Sequence, residues 1–191
     1  MERGFEIDGI KFTPTSLAGH PAHAALLATI FTSFSLTEGA IGGIYGLLKH
    51  QDYAVAIEEL KALGSNAKRT EAVRSLIKTA LPATEAAPLE ALMKRVLAYA
   101  PARNKIAHGI WGAHPDEPDE LYRLPVKQWI TFLASMVPNR ADAGDIIDDL
   151  NEHMEAYSLN DLQAVASEGE TLLEDLILAF TGLAGRAAQP I

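Results

Sequence analysis

The 191-residue chain contains no cysteine, which excludes a disulfide framework, a disulfide partner, thiolate-ligated zinc and thiol catalysis. Basic residues are scarce beside acidic ones: 16 Lys and Arg against 25 Asp and Glu leave a formal net charge of −9. That balance disfavours broad electrostatic affinity for nucleic acid, which normally needs a Lys/Arg surface, but leaves room for a local basic site acting on RNA. No apolar segment follows a basic stretch at the start, so no secretory signal is read and a cytoplasmic protein is expected. Internal repeats, low-complexity linkers and composition breaks are also missing, and residues 1–191 are expected to form one domain. No Ser lies in a G-x-S-x-G elbow, which removes support for a hydrolase of that class. What the chain does have is 48% hydrophobic and 21% charged residues, enough apolar side chain to build a core.

Most of the sequence reads as helix. Residues 1–19 alternate loosely (Phe5, Ile7, Ile10, Phe12) and suggest an extended arm or short hairpin. Residues 24–48 form a long apolar run whose only charge is Glu38. The length would allow a membrane span, but the central Glu38, the Thr, Ser and Gly content and the lack of flanking basic clusters argue for a buried helix, or for two broken near Leu36 and Thr37. Leu27, Phe31, Phe34, Glu38, Ile41, Tyr45 and Leu48 recur at steps of three or four, which puts Glu38 on the apolar stripe, where its carboxylate needs a partner; Arg103 or His108 would suit. Gly39, Gly42, Gly43 and Gly46 lack the context of a phosphate-binding loop and are better explained as places where another helix approaches.

Two short amphipathic helices are expected over 51–63 and 67–81, the second with Lys68, Arg69, Arg74 and Lys78 outside. Pro82 ends it, and Pro101 is expected to kink the next helix or start a new turn. Residues 112–120 form an acidic loop, 121–132 can include a short strand, and 141–157 read as an amphipathic or partly helical segment. Ser158 with Asp161 suggests a weakened capping box before a last helix over 159–184, followed by a frayed tail over 185–191. His20 with His23 has a spacing that could ligate metal, but surface residues are the simpler reading. His114 with its acidic neighbours, and Asp145, Asp148, Asp149, Glu152 and His153 on one polar helix face, read as solvated groups.

The chain is organised around residues 99–112. Arg103 and Asn104 are followed by His108, five residues after the Arg, with Gly109 directly behind it. On a helix Asn104 and His108 share a face, and Arg103 lies about 140° from His108. One copy therefore does not converge on a single phosphate. A structural reading is available: Arg and His near a helix C-terminus interact favourably with its dipole, and Gly109 at C′ ends the helix.

This R-x4-H pattern, with Asn directly after the Arg, resembles the signature of HEPN-domain proteins (higher eukaryotes and prokaryotes nucleotide-binding), many of which are metal-independent ribonucleases. The resemblance extends to a long early helix carrying a polar residue, a helix ending in the motif, a variable insertion and a long C-terminal helix. It implies an all-α, HEPN-like bundle of four or more helices, with a short irregular or β-containing insertion after the motif helix. It also implies a homodimer in which two motif copies share one cleft, and metal-independent RNA cleavage or RNA binding, in stress response or phage defence, with no cofactor. Arg103 would hold the scissile phosphate, His108 would move a proton at the 2′-hydroxyl or the leaving oxygen, Asn104 would orient the imidazole or the substrate, and Glu38 would fix Arg103 from a neighbouring helix. The chain departs from the subgroup of two-gene toxin–antitoxin systems, which carries Tyr two residues after the His; here that residue is Ile110. The alternative is a non-enzymatic helical interaction module in which the segment from Arg103 to His108 is structural.

Overall fold

The computed structural model describes residues 4–135 and 143–187. Among them are seven helices and two small antiparallel sheets, so the protein is mostly helical as expected, with its β-structure in the N-terminal hairpin and in the insertion after the motif helix. The chain forms two compact units, the first from residues 1–29 and 102–166, the second from residues 30–101 and 167–191.

The first unit begins with the hairpin β1 (Phe5–Ile7) and β2 (Ile10–Phe12). Its two-residue turn, Asp8 and Gly9, has positive φ at both positions, the geometry that an Asp-Gly pair favours because it matches the strand twist. A three-stranded sheet follows in the order β3 (Gly109–Gly112), β4 (Glu120–Pro125), β5 (Glu155–Ser158). Lys11 of β2 exchanges backbone hydrogen bonds of 2.9 and 3.1 Å with Ala113, which joins the hairpin to the end of β3. Ile7, Ile10, Phe12, Leu124 and Leu150 form one buried cluster of its core, with Phe5 stacked on Phe12 and on Trp129. The two helices of this insertion are α5 (Val126–Ser135) and α6 (Ala143–His153). β5 falls where a helical or partly helical segment was expected, and residues 141 and 142 of that segment and the Asp145 side chain lie outside the described residues.

Helix α1 (Pro21–Lys49) starts in the first unit and runs unbroken into the second. Among the described helices it is the one long and apolar enough to cross a membrane by length and composition. Its buried side is not quite the expected stripe. Leu27, Phe34 and Ile41 are buried, but so are Ile30, Ser33, Thr37 and Ile44, whereas Phe31 is exposed. A helix apolar nearly all round offers several rows of three-and-four spacing, and packing selects among them.

In the second unit, α2 (Tyr53–Ala62) starts at an Asp52 cap and α3 (Asn66–Ala80) at a Ser65 cap, each side chain accepting a backbone N–H as N-caps do. The close-approach reading of the α1 glycines holds. A Cβ on Gly43 would come within 2.7 Å of the Phe180 ring, and one on Gly46 within 3.2 Å of the Ala56 Cβ. Helix α4 (Ala83–Ala107) continues through Pro101 without the expected new turn. The missing hydrogen bond is offset by burial on both sides, at Val96 and Tyr99 before it and at Ile106 after it. Helix α7 (Leu159–Ala187) opens on the expected Ser158–Asp161 box, with reciprocal bonds of 2.9 and 3.2 Å. It continues through residues 185–187, which were expected to fray, and residues 188–191 lie outside the description.

Candidate functional site

Arg103, Asn104 and His108 all lie in the first unit, at the carboxyl end of α4. The backbone N–H of His108 donates to the Asn104 carbonyl at 3.0 Å, so His108 sits on the continuation of the helix, and its own carbonyl accepts from Val126 N–H at 3.1 Å. Asn104 and His108 are exposed and Arg103 is half-buried. Arg103 Nη1 donates to Asn104 Oδ1 at 3.1 Å, so Asn104 is engaged with the guanidinium rather than with the imidazole. Among the described residues, the imidazole of His108 has no hydrogen-bond partner.

Gly109 does not have the left-handed conformation of a C′ residue; among the described glycines only Gly9 and Gly64 have positive φ. It opens β3 opposite Pro125. A Cβ there would stand 2.6 Å from Arg123 Cγ and 2.9 Å from Arg123 Nε. Glycine is needed for the close approach of a side chain, not for a turn. Gly109→Ala is therefore expected to displace Arg123 and to destabilise the protein by about 1–3 kcal/mol, the usual range for overpacking; a urea titration measures it.

Arg123 is what the sequence reading missed. It is only 5% exposed. Its Nε donates to the carbonyl of Lys105, one of the last four carbonyls of α4, and its Nη1 donates to Glu155 Oε2 at 3.1 Å. Lys105 Nζ reaches Glu155 Oε1 at 2.7 Å. Arg123 thus caps the helix whose end carries His108, placing a cation where the dipole favours one. Register aligns it with Trp111 on β3 and Glu155 on β5, and the Trp111 and Tyr157 rings meet edge-on at 5.4 Å. The available signal was parity: Arg123 is two residues from Leu121 in a strand, hence on the same face, and Leu121 is fully buried.

Burial alone would raise the Glu155 carboxyl, but the hydrogen bond and charge of Lys105, with the charge of Arg123, outweigh it and hold the group below the ordinary carboxylate range. Burial pushes the Tyr157 phenol up, only partly offset by the charges of Lys105 and Arg123. Because the Glu155 carboxyl is more acidic folded than unfolded, its contribution is present above the unfolded carboxylate range. It is lost as pH falls through the folded value. The melting temperature of the wild type is expected to fall more steeply than that of Glu155→Gln from about pH 5 downward, the two curves converging at the acid end.

Glu38 belongs to the second unit, where its carboxylate lies 3.9 Å from Arg69 of α3. The partner of that carboxylate is thus a residue expected to face solvent. Arg74 and Lys78 on the same helix pair with Glu90 at 3.8 and 3.4 Å, so most of the chain's basic stretch is matched by carboxylates. His23, expected at the surface, is buried, with Nε2 3.1 Å from the Asp119 carbonyl. Burial lowers its pKa, the bond to Asp119 opposing it and the charge of His20 adding to it.

Searches against models of known families, against characterised proteins and against solved structures find no match. The functional reading therefore rests on the residues.

Proposed function

We infer that this is a HEPN-like protein that acts on RNA without a metal, through Arg103 and His108 of two chains paired in a homodimer. The observation that carries this reading is the division of labour at the end of α4. Arg123 caps the helix and Gly109 makes room for it, which leaves the exposed His108 imidazole without the structural task the cap reading gave it. In the reaction, one imidazole takes the proton of the ribose 2′-hydroxyl and the 2′ oxygen attacks phosphorus. The bond from phosphorus to the 5′ oxygen breaks, and that oxygen takes a proton from the second, protonated imidazole. Arg103 neutralises the charge that develops on the phosphoryl oxygens. The products are a 2′,3′-cyclic phosphate and a 5′-hydroxyl.

The alternative, a non-enzymatic interaction module, draws support from Glu155, which engages both Lys105 and Arg123 and so reduces the positive charge offered to phosphates near the motif. One experiment separates the two: cleavage of a labelled single-stranded RNA in EDTA by the wild type, Arg103→Ala and His108→Ala. Loss in both folded variants, with cyclic-phosphate ends from the wild type, supports the nuclease. Equal rates in all three across several RNAs and pH values support the interaction module.

A further inference from the structure

The first unit holds a second polar cleft, of about 310 Å³, where the end of β3 meets the hairpin. Lys11, Thr13, His20 and His114 line it, with Pro115 and Pro118 beside them. The strand pattern accounts for the lysine. Ile10 and Phe12 are buried, so Lys11 and Thr13, which alternate with them, leave the opposite face of the hairpin. Among the described residues Lys11 makes no ion pair, although Glu6 is its cross-strand neighbour.

The two histidines are half-buried, and their backbone contacts fix opposite tautomers. His20 Nδ1 lies 3.0 Å from the Ser16 carbonyl, which can only accept. In the neutral ring the proton therefore sits on Nδ1, and Nε2 is an acceptor. The Asp116 N–H donates to His114 Nδ1 at 3.2 Å, so there the proton sits on Nε2, which is a donor. Neither Nε2 has a hydrogen-bond partner among the described residues, and neither is buried. Both rings are held. His20 meets the buried His23 ring edge-on at 5.6 Å, and His114 rests against Gly9, where a Cβ would come within 2.5 Å of it. The adjacent acidic loop turns one of its carboxylates aside, Glu117 accepting from the Tyr122 hydroxyl.

We propose that this cleft binds a ribose phosphate, with phosphate oxygens at Lys11 Nζ and His114 Nε2–H and a sugar hydroxyl donating to His20 Nε2. The lysine and the donor imidazole call for an anion. The acceptor imidazole calls for a hydroxyl: its lone pair repels a phosphate oxygen, so phosphate alone leaves His20 unmatched. The volume, near the lower end for ligand sites, suits one sugar phosphate. The choice of ribose rests on the RNA reading above, and the 2′-hydroxyl is then the group that tells RNA from DNA. His108 precedes β3 and His114 follows it, so the cleft is a subsite apart from the motif.

The test titrates the full chain in EDTA with uridine 3′-monophosphate, its 2′-deoxy analogue and inorganic phosphate, read by isothermal titration and amide chemical shifts. The ribonucleotide is expected to bind saturably, with the largest shifts at Lys11, His20 and His114, and these shifts should persist on Arg103→Ala. The deoxy analogue is expected to bind about fivefold more weakly, the worth of roughly one hydrogen bond. Lys11→Met should weaken both nucleotides about tenfold and leave their ratio unchanged. His20→Ala should instead bring that ratio close to one. Lys11 is exposed, so its variant tests the proposal even if His20→Ala fails to fold. No saturable binding, largest shifts at the motif, loss of the cleft shifts on Arg103→Ala, equal binding of the two nucleotides, or phosphate binding as tightly as the ribonucleotide would each overturn it. Uncut RNA beside intact, ribose-selective binding would overturn the nuclease reading and support the cleft.

Discussion

Replacing His108 by Ala is expected to lower RNA cleavage by about 10²–10⁴-fold, the usual contribution of a positioned general acid or base. The same substitution should leave stability within about 0.5 kcal/mol, since it removes an exposed side chain with no described hydrogen-bond partner. For a chain of this length that is a change of no more than roughly 2 °C in melting temperature. The pairing of a large kinetic effect with a small thermal one is what distinguishes the readings. If His108 served the helix end, the thermal effect would dominate. Arg103→Lys sharpens the result: it keeps the charge but loses the planar fork, so a nuclease should be impaired by it, whereas a site needing only a positive charge should not. Rates measured with the labelled RNA and melting curves on the same preparations decide the matter.

Glu155→Ala is expected to cost about 3 kcal/mol, or roughly 6–12 °C in melting temperature. The substitution leaves the guanidinium of Arg123, 5% exposed, with its ionic partner gone. The figure sits at the lower end for a broken buried pair because 34% of the Glu155 side chain still meets solvent. The double substitution Arg123→Met with Glu155→Met should recover most of the loss, since apolar side chains of similar volume replace both charges and leave none stranded. The carbonyl of Lys105 would then lose its donor, so recovery should be incomplete. A double-mutant cycle in urea measures both quantities; equal additive losses would refute the coupling.

Helix starts were the most legible part of the sequence. Asp52, Ser65 and the Ser158–Asp161 pair announce helix starts because capping is local chemistry between near neighbours. α1 announced itself as a helix, but its buried row did not follow from spacing, because too many apolar positions compete. β5 was hidden because four residues give no period, and what makes Glu155–Ser158 a strand is pairing with β4, more than 30 positions earlier. The three motif residues were visible as a spacing. The assignments of Gly109 and Glu38 were not, since each is decided by a neighbour that sequence alone cannot place, Arg123 and Arg69 respectively; that of Asn104 turns on a rotamer that brings its Oδ1 to the guanidinium of the adjacent Arg103.

The order β3-β4-β5 carries a consequence for biogenesis. β3 and β4 are close in the chain and can pair as soon as both have left the ribosome, but β5 follows α6 and emerges about 30 residues later. Until then Arg123 has no Glu155 beside it, and the cap on α4 lacks its counter-charge. Non-local pairings of this kind slow folding, because chain entropy is lost before the contact forms. During synthesis the helix end that carries His108 is therefore held less firmly than in the finished protein. Nascent chains halted before residue 155 should show that end as protease-sensitive, and chains extended past it should not.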